Sequence, residues 1–310
     1  MQGIPGWPIR AVRRLAGVPA PVLVLAGIVS VQLGGALAAG LVRQLGSLIA
    51  VALRMDIAAL VLIAFTRPSL RGRSREAWTA AALLAASLGV MNLCFYSAIA
   101  RLPLGVVVTI EFLGPLGLAA AISRRPRDFV AVLAALSGVV MVSGVLEANV
   151  ANLDLLGLGL AAAAGACWAS YILATRAVGR LWRQLDGLAV AMAIASAMIT
   201  PFALVAALGT PVSPAQLAVG ATVAILSSVL PYSLELVALR RIDTRVFGIL
   251  LSLDPAVAAL AGLLILGEAM GSLEAGGMAL VILASALVLV TQPRRGEPQE
   301  GALTELAEIG

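Results

Sequence analysis

Residues 104–122 read LGVVVTIEFLGPLGLAAAI, an apolar run interrupted by one acid, Glu111, and one internal proline, Pro115. A helix needs roughly 20 apolar residues to cross a hydrocarbon core of about 30 Å, and this run is of that length. It does not stand alone. Working outward, comparable runs occupy 20–39, 46–66, 77–99, 129–146, 155–177, 187–207, 216–239, 246–266 and 272–291. The chain therefore reads as an all-α membrane protein of ten transmembrane helices with short connections. The runs are continuous rather than alternating, which argues against a membrane β-barrel. No connection is long enough to fold into an extramembrane domain.

Composition agrees. Of 310 residues, 61% are hydrophobic and 12% charged, with a mean hydropathy of +1.04. A soluble domain carries roughly 25% charged residues to cover its surface. The chain has no histidine, which excludes His-based acid–base chemistry and His–metal sites. Its two cysteines, Cys94 and Cys167, lie inside apolar runs without a metal-ligand spacing, so no disulfide framework, metal or other cofactor is expected. A Walker A sequence is absent, so ATP is not the direct energy source. An Arg-flanked apolar run ending at Ala36-Leu37-Ala38 also has the look of a cleaved signal peptide. Removing it would break the pairing of halves described below.

All 21 basic residues are arginine, and they sit in connections rather than in a nucleic-acid-binding patch. Arg10, Arg13 and Arg14 precede span 1. Arg67, Arg71, Arg73 and Arg75 join spans 2 and 3. Arg124, Arg125 and Arg127 join spans 4 and 5. Arg176, Arg180 and Arg183 join spans 6 and 7, Arg240, Arg241 and Arg245 join spans 8 and 9, and Arg294 and Arg295 follow span 10. Only Arg43 and Arg101 fall on the opposite side, and Arg54 lies within span 2. The positive-inside rule places both termini in the cytoplasm.

The halves resemble each other. Pairing each residue with the one 140 further on sets Arg101 on Arg241, Pro115 on Pro255 and Ser87 on Ser227. Five spans per half is an odd number, so the second half is inverted relative to the first. Inverted repeats build many secondary transporters, with the substrate site near the midplane where the repeats meet. The expected organisation is a cytoplasmic segment 1–19, repeats 20–147 and 148–291, and an acidic cytoplasmic tail 292–310.

Several motifs resemble the EamA family of the drug/metabolite transporter superfamily, and within it the bacterial threonine/homoserine exporters. They are Ala100-Arg101-Leu102-Pro103-Leu104-Gly105, Glu111-Phe112-Leu113-Gly114-Pro115, Ser123-Arg124-Arg125-Pro126 and Gly165-Ala166-Cys167-Trp168-Ala169 with Tyr171. The most specific is Ala224-Ile225-Leu226-Ser227-Ser228 running to Leu230-Pro231-Tyr232-Ser233-Leu234-Glu235, followed by Phe247-Gly248 and Gly267-Glu268. The resemblance covers about residues 20–290. It implies ten helices as two inverted five-helix repeats and efflux of small amino acids across the bacterial inner membrane in exchange for protons. Other metabolites, drugs and nucleotide sugars are also handled in the superfamily. The low aromatic content, 4%, weighs against large planar drugs. A scaffold without transport and an intramembrane enzyme are the readings from other classes. A homo-oligomer is compatible with either.

Ionisable groups within a bilayer are costly and are usually functional or paired. Arg54, Asp56, Glu111, Glu235 and Asp254 are the candidates. Arg54 lies roughly 12 Å into span 2 at about 1.5 Å per residue. Its two readings are a partner for a substrate carboxylate and an ion pair with one of the acids. Arg54 and Asp56 are two apart and cannot share a helix face, so each needs a partner on another helix. The family gives no role for Asp56. Glu235 is near the end of span 8, where snorkelling to the interface accounts for it. Glu111 is assigned to a substrate ammonium or the coupling proton. Burial disfavours a charged carboxylate, so Glu111 or Asp254 is expected to exchange a proton.

A proline within a helix leaves the carbonyl four residues back without its donor. Pro115, Pro231 and Pro255 free the carbonyls of Glu111, Ser227 and Leu251. These either bind substrate or merely mark bends satisfied by neighbours. The expected lining of the path is Ser30 and Gln32 on span 1, Asn92 and Tyr96 on span 3, Trp168 and Tyr171 on span 6, and Tyr232 and Glu235 on span 8. For each of these alone, helix packing is the simpler account.

Overall fold

A computed structural model describes residues 17–102, 104–123, 126–143, 145–147, 154–208, 210–261 and 271–290. Arg10, Arg13 and Arg14, Pro103, Arg124 and Arg125, Gly267 and Glu268, Arg294 and Arg295 and the acidic tail lie outside the described residues. Ten helices run through the described residues: α1 (Ala20–Leu45), α2 (Ser47–Thr66), α3 (Arg75–Ile99), α4 (Leu104–Ala121), α5 (Pro126–Val142), α6 (Leu155–Leu181), α7 (Asp186–Ala206), α8 (Pro214–Leu239), α9 in two pieces, α9a (Thr244–Leu251) and α9b (Leu253–Ala261), and α10 (Ser272–Val290). These follow the ten apolar runs. Seven of them, α1, α2, α3, α6, α7, α8 and α10, are long and apolar enough to cross a membrane. The expected continuous ninth span is instead broken at Ser252. There the backbone N–H and the hydroxyl both turn to the Ile249 carbonyl, three residues back, which tightens the last turn of α9a ahead of Pro255.

Polar residues mark the helix starts. Ser74 accepts from the Ala77 N–H and Asp154 from the Gly157 N–H, while Ser213 and Gln216 form a reciprocal capping box. Gly46, at φ +80°, turns α1 directly into α2, a backbone conformation open to glycine without steric cost.

The interior is made of close crossings. α3 packs on α6 and α7, α1 on α8, α2 on α7 and α8, α4 on α6 and α9a, and α5 on α10. Glycines permit two of these. A Cβ on Gly114 would collide with the Gly165 carbonyl of α6, and a Cβ on Gly277 would come within 2.8 Å of the Gly138 carbonyl of α5. Without a hydrophobic force between helices in lipid, such backbone approach supplies the packing energy. Tyr171, Met55, Leu88, Met192 and Phe247 fill the core, while Leu60 and Val205 are 68% and 69% exposed. Large apolar side chains turned outward are what a lipid-facing surface requires.

The two ends of the bundle differ. At one, Arg73 pairs with Asp186 at 3.2 Å, Arg176 with Asp243 at 3.7 Å and Arg245 with Asp128 at 2.6 Å. Arg240 donates to the carbonyls of Gly179, Trp182 and Gln184. Trp182 donates to the Ala77 carbonyl and carries Arg73 over its ring. These contacts join the starts of α3, α5, α7 and α9a to the ends of α6 and α8. The expected alternation of helix directions requires this grouping. At the other end, Arg101 meets Asp154 at 3.3 Å in an exposed pair, and Gln216 donates to Gln44.

Candidate functional site

Midway along the bundle lies a cavity of about 170 Å³. It is lined by Ile28 and Val31 of α1, Arg54 of α2, Met91 and Asn92 of α3, Glu111 of α4, Trp168 and Tyr171 of α6, Ser227, Tyr232 and Glu235 of α8, and Leu251 and Asp254 of α9. The fold thus brings eight of the expected residues to one place: Arg54, Asn92, Glu111, Trp168, Tyr171, Tyr232, Glu235 and Asp254. Tyr96 lines a neighbouring groove instead.

Each helix contributes through its rotation. Asn92 is buried, and its Nδ2 donates to the Leu88 carbonyl at 2.8 Å, which aims Oδ1 at Arg54. Arg54 donates through Nη2 to that oxygen. Among the described residues Arg54 pairs with this amide and with none of the acids, so the ion-pair reading does not hold. Its Nε is buried without a hydrogen-bond partner. Asp56 points the other way, to α7, where it accepts from Ser196 and from Thr200 at 2.7 Å. The two-residue spacing does send these side chains to different helices.

Glu235 corrects the snorkelling expectation. It is only 7% exposed, and its Oε2 accepts from the Tyr171 hydroxyl at 2.6 Å. Counting from the end of span 8 measured its height but not its direction. It faces inward because α8 presents that side to α6. Tyr171 and Tyr232 tilt together with ring centroids 5.7 Å apart, and Trp168 meets Phe112 edge-on at 4.8 Å. These aromatic contacts wall the cavity.

Ser30 and Gln32 do not line it. The Ser30 hydroxyl donates to the Leu226 carbonyl at 2.6 Å, and the Gln32 amide lies 3.4 Å from the Asp254 carbonyl. Ile28 and Val31, which the sequence reading missed, stand in their place; apolar residues on an apolar helix carry no signal of their direction. The Ser30 bond also moves the expected orphan of Pro231. Ile225–Val229 form a π-turn in which the Leu230 N–H reaches back five residues to Ile225. In that register Pro231 frees the carbonyl of Leu226 rather than that of Ser227, and Ser30 occupies it. The Glu111 carbonyl, freed by Pro115, sits at the α4–α6 crossing, where a Cβ on Gly165 would lie 2.8 Å from it. It therefore faces the backbone of α6.

The lining also has an internal order. Ile28 and Trp168, Val31 and Tyr171, Asn92 and Tyr232, and Glu111 and Leu251 all line the cavity, and the members of each pair are 140 apart in sequence. Asp56 and Ser196, also 140 apart, touch across α2 and α7.

Chemically the cavity offers three carboxylates, Glu111, Glu235 and Asp254, and one guanidinium. Among the described residues no ion pair joins them, and they do not cluster as a metal site. Such a pocket can hold a positive group at one side and a negative group at the other. Its volume lies below the roughly 300–1,000 Å³ of drug-sized sites.

The profile of the EamA-like transporter family matches residues 155–290, which span α6 to α10. The threonine/homoserine exporter RhtA of Escherichia coli (strain K12) is 38% identical over 264 residues, covering 85% of this chain and 89% of that one. Its counterpart in Salmonella typhimurium (strain LT2) is 39% identical over 280 residues, covering 90% and 94%. A solved crystal structure superposes with a TM-score of 0.71 at 19% identity, covering 90% of this chain and 99% of that one, which is a likeness of fold.

Proposed function

Because this chain belongs to the EamA-like transporter family, and so is a transporter and not an enzyme, we propose that it exports a small amino acid of the threonine or homoserine type. Export runs across the bacterial inner membrane by alternating access, with protons as the coupling ion. The cavity carries this reading. Its carboxylates, which join no ion pair among the described residues, suit an α-ammonium, Arg54 suits an α-carboxylate, and its volume suits a small solute. Glu111 or Asp254 takes the coupling proton.

The proposed topology is ten spans with both termini cytoplasmic, in two inverted repeats, 20–147 and 148–291. Several observations support it. Helix contacts map onto themselves when each span is exchanged for the one five further on: α1 with α8 becomes α6 with α3, and α4 with α6 becomes α9 with α1. A residue can touch its own equivalent only on the axis relating two repeats, and Asp56 touches Ser196. The family profile spans one five-helix half.

The excess of acids over bases in the cavity favours one second reading, a solute with an additional positive charge, such as a basic amino acid. Transport by purified protein in sealed liposomes separates them. Labelled threonine, homoserine and lysine are offered with and without a pH gradient. Gradient-stimulated movement of threonine or homoserine is expected. Movement of lysine alone would replace the substrate assignment, and movement of none across a broad panel would refute the exporter.

A further inference from the structure

We propose that the groove between α2 and α3 is an outward vestibule of the transport path, a second site that holds the zwitterionic amino acid after it leaves the central cavity. In this proposal the Arg54–Asn92 pair is the partition between the two compartments. The inference rests on the export reading above and adds the route to it.

The groove encloses about 270 Å³ and is lined by Ser47 and Val51 of α2 and Asn92, Tyr96 and Ser97 of α3, among others. Asn92 lines both groove and cavity, so the two adjoin at this side chain. The gap exists because α2 packs on α7 and α8 while α3 packs on α6 and α7, leaving the two helices little packed on each other. It lies toward the start of α2 and the end of α3, away from the end sealed by Arg73–Asp186, Arg176–Asp243 and Arg245–Asp128. The serine and tyrosine hydroxyls and the Asn92 amide suit a solute that carries charges and a hydroxyl.

The partition is built to yield. Arg54 is held by a neutral amide oxygen, and its buried Nε has no partner. A carboxylate is a stronger, charge-assisted acceptor that can take two guanidinium N–H groups at once. Substrate arriving in the cavity therefore competes for Arg54 and draws it from Asn92, loosening the wall toward the groove.

The test replaces Cys94 and Cys167 with alanine and introduces Ser97→Cys. The folded protein is treated in detergent with a bulky, positively charged methanethiosulfonate, which reacts where water reaches, and is then reconstituted. Labelling is expected to abolish threonine transport while threonine still raises the melting temperature, since the cavity stays intact. Saturating threonine is expected to slow the labelling. Asn92→Asp gives Arg54 a charged acceptor that substrate must displace, and KM for threonine is expected to rise roughly tenfold with groove labelling unchanged. If Ser97→Cys resists the reagent, or is labelled with transport intact, the vestibule is overturned while the export reading stands. An unchanged KM in Asn92→Asp overturns the partition. Failure of the unlabelled protein to bind or move threonine overturns the threonine assignment on which this proposal rests.

Discussion

Gly165 is where one added methyl group should be felt in both stability and transport. A Cβ there would lie 2.8 Å from the Glu111 carbonyl oxygen and 3.2 Å from the Glu111 Cα. Both atoms are backbone, so no side chain can swing aside. Ordinary contact begins at 3.4 Å, so α4 and α6 must part by 3.4 − 2.8 = 0.6 Å. Overpacking of this kind costs about 1–3 kcal/mol. Gly159→Ala on the same helix is the control, because a Cβ there meets nothing within 4 Å. Each exchange also gains up to about 1 kcal/mol of helix propensity, so the difference between the two variants isolates the crossing. Thermal unfolding of purified protein should show Gly165→Ala less stable than Gly159→Ala by about 1–3 kcal/mol. Transport should fall as well, because a binding constellation tolerates displacements of only about 0.5 Å, and Glu111 moves with α4. Equal stability of the two variants would refute the reasoning, since it would mean that the helices do not cross at backbone contact.

Other consequences can be measured. Tyr171→Phe removes the donor to the buried Glu235 carboxylate and should cost about 1–3 kcal/mol while altering the pH profile of transport; an unchanged profile and melting temperature would count against this bond. Asp128 is 2% exposed beside Arg245, so Arg245→Gln alone should destabilise by about 3–5 kcal/mol, and adding Asp128→Asn should recover part of the loss; absence of recovery would show that the two do not act as a pair. Asp154 accepts the Gly157 N–H at the start of α6, and with Arg101 nearby its carboxyl is held below the ordinary aspartate range. A depressed folded value means stability that is present above the unfolded value and lost as pH falls through the folded one. The melting-temperature gap between the parent and Asp154→Ala should therefore hold at neutral pH and close only below about pH 4; a gap that closes nearer neutrality would contradict the cap.

How far the site could be read in advance varied by residue. Glu111, Asp254 and Arg54 stood out because a charge inside a long apolar run has a cost whatever its direction. Glu235 was harder. Its height on α8 pointed to the interface, while its neighbour Tyr171 lies on another helix, 64 residues away. Ser30 looked like lining and proved to serve a backbone carbonyl, because the π-turn before Pro231 shifted which carbonyl was left over. That shift depends on how α8 relieves its proline, which no spacing rule supplies. Ser196 and Thr200, the partners of Asp56, were not anticipated, since hydroxyls on an apolar helix are common and carry no charge.

The number of apolar runs, their lengths and the arginine-rich connections were decided by the sequence alone. The thickness of the hydrocarbon core sets how long a helix must be, and the cost of burying a guanidinium confines nearly every arginine, though not Arg54, to the connections. Which face each helix turns inward was decided only by the tertiary structure. A helix apolar around its whole circumference has no periodicity to mark an inner side. Its rotation is set by where backbones approach, at Gly114 on Gly165 and Gly138 on Gly277, and by the few hydrogen bonds that cross between helices. Those contacts turned Arg54 toward Asn92, Asp56 toward Ser196, and three separate carboxylates toward one small cavity.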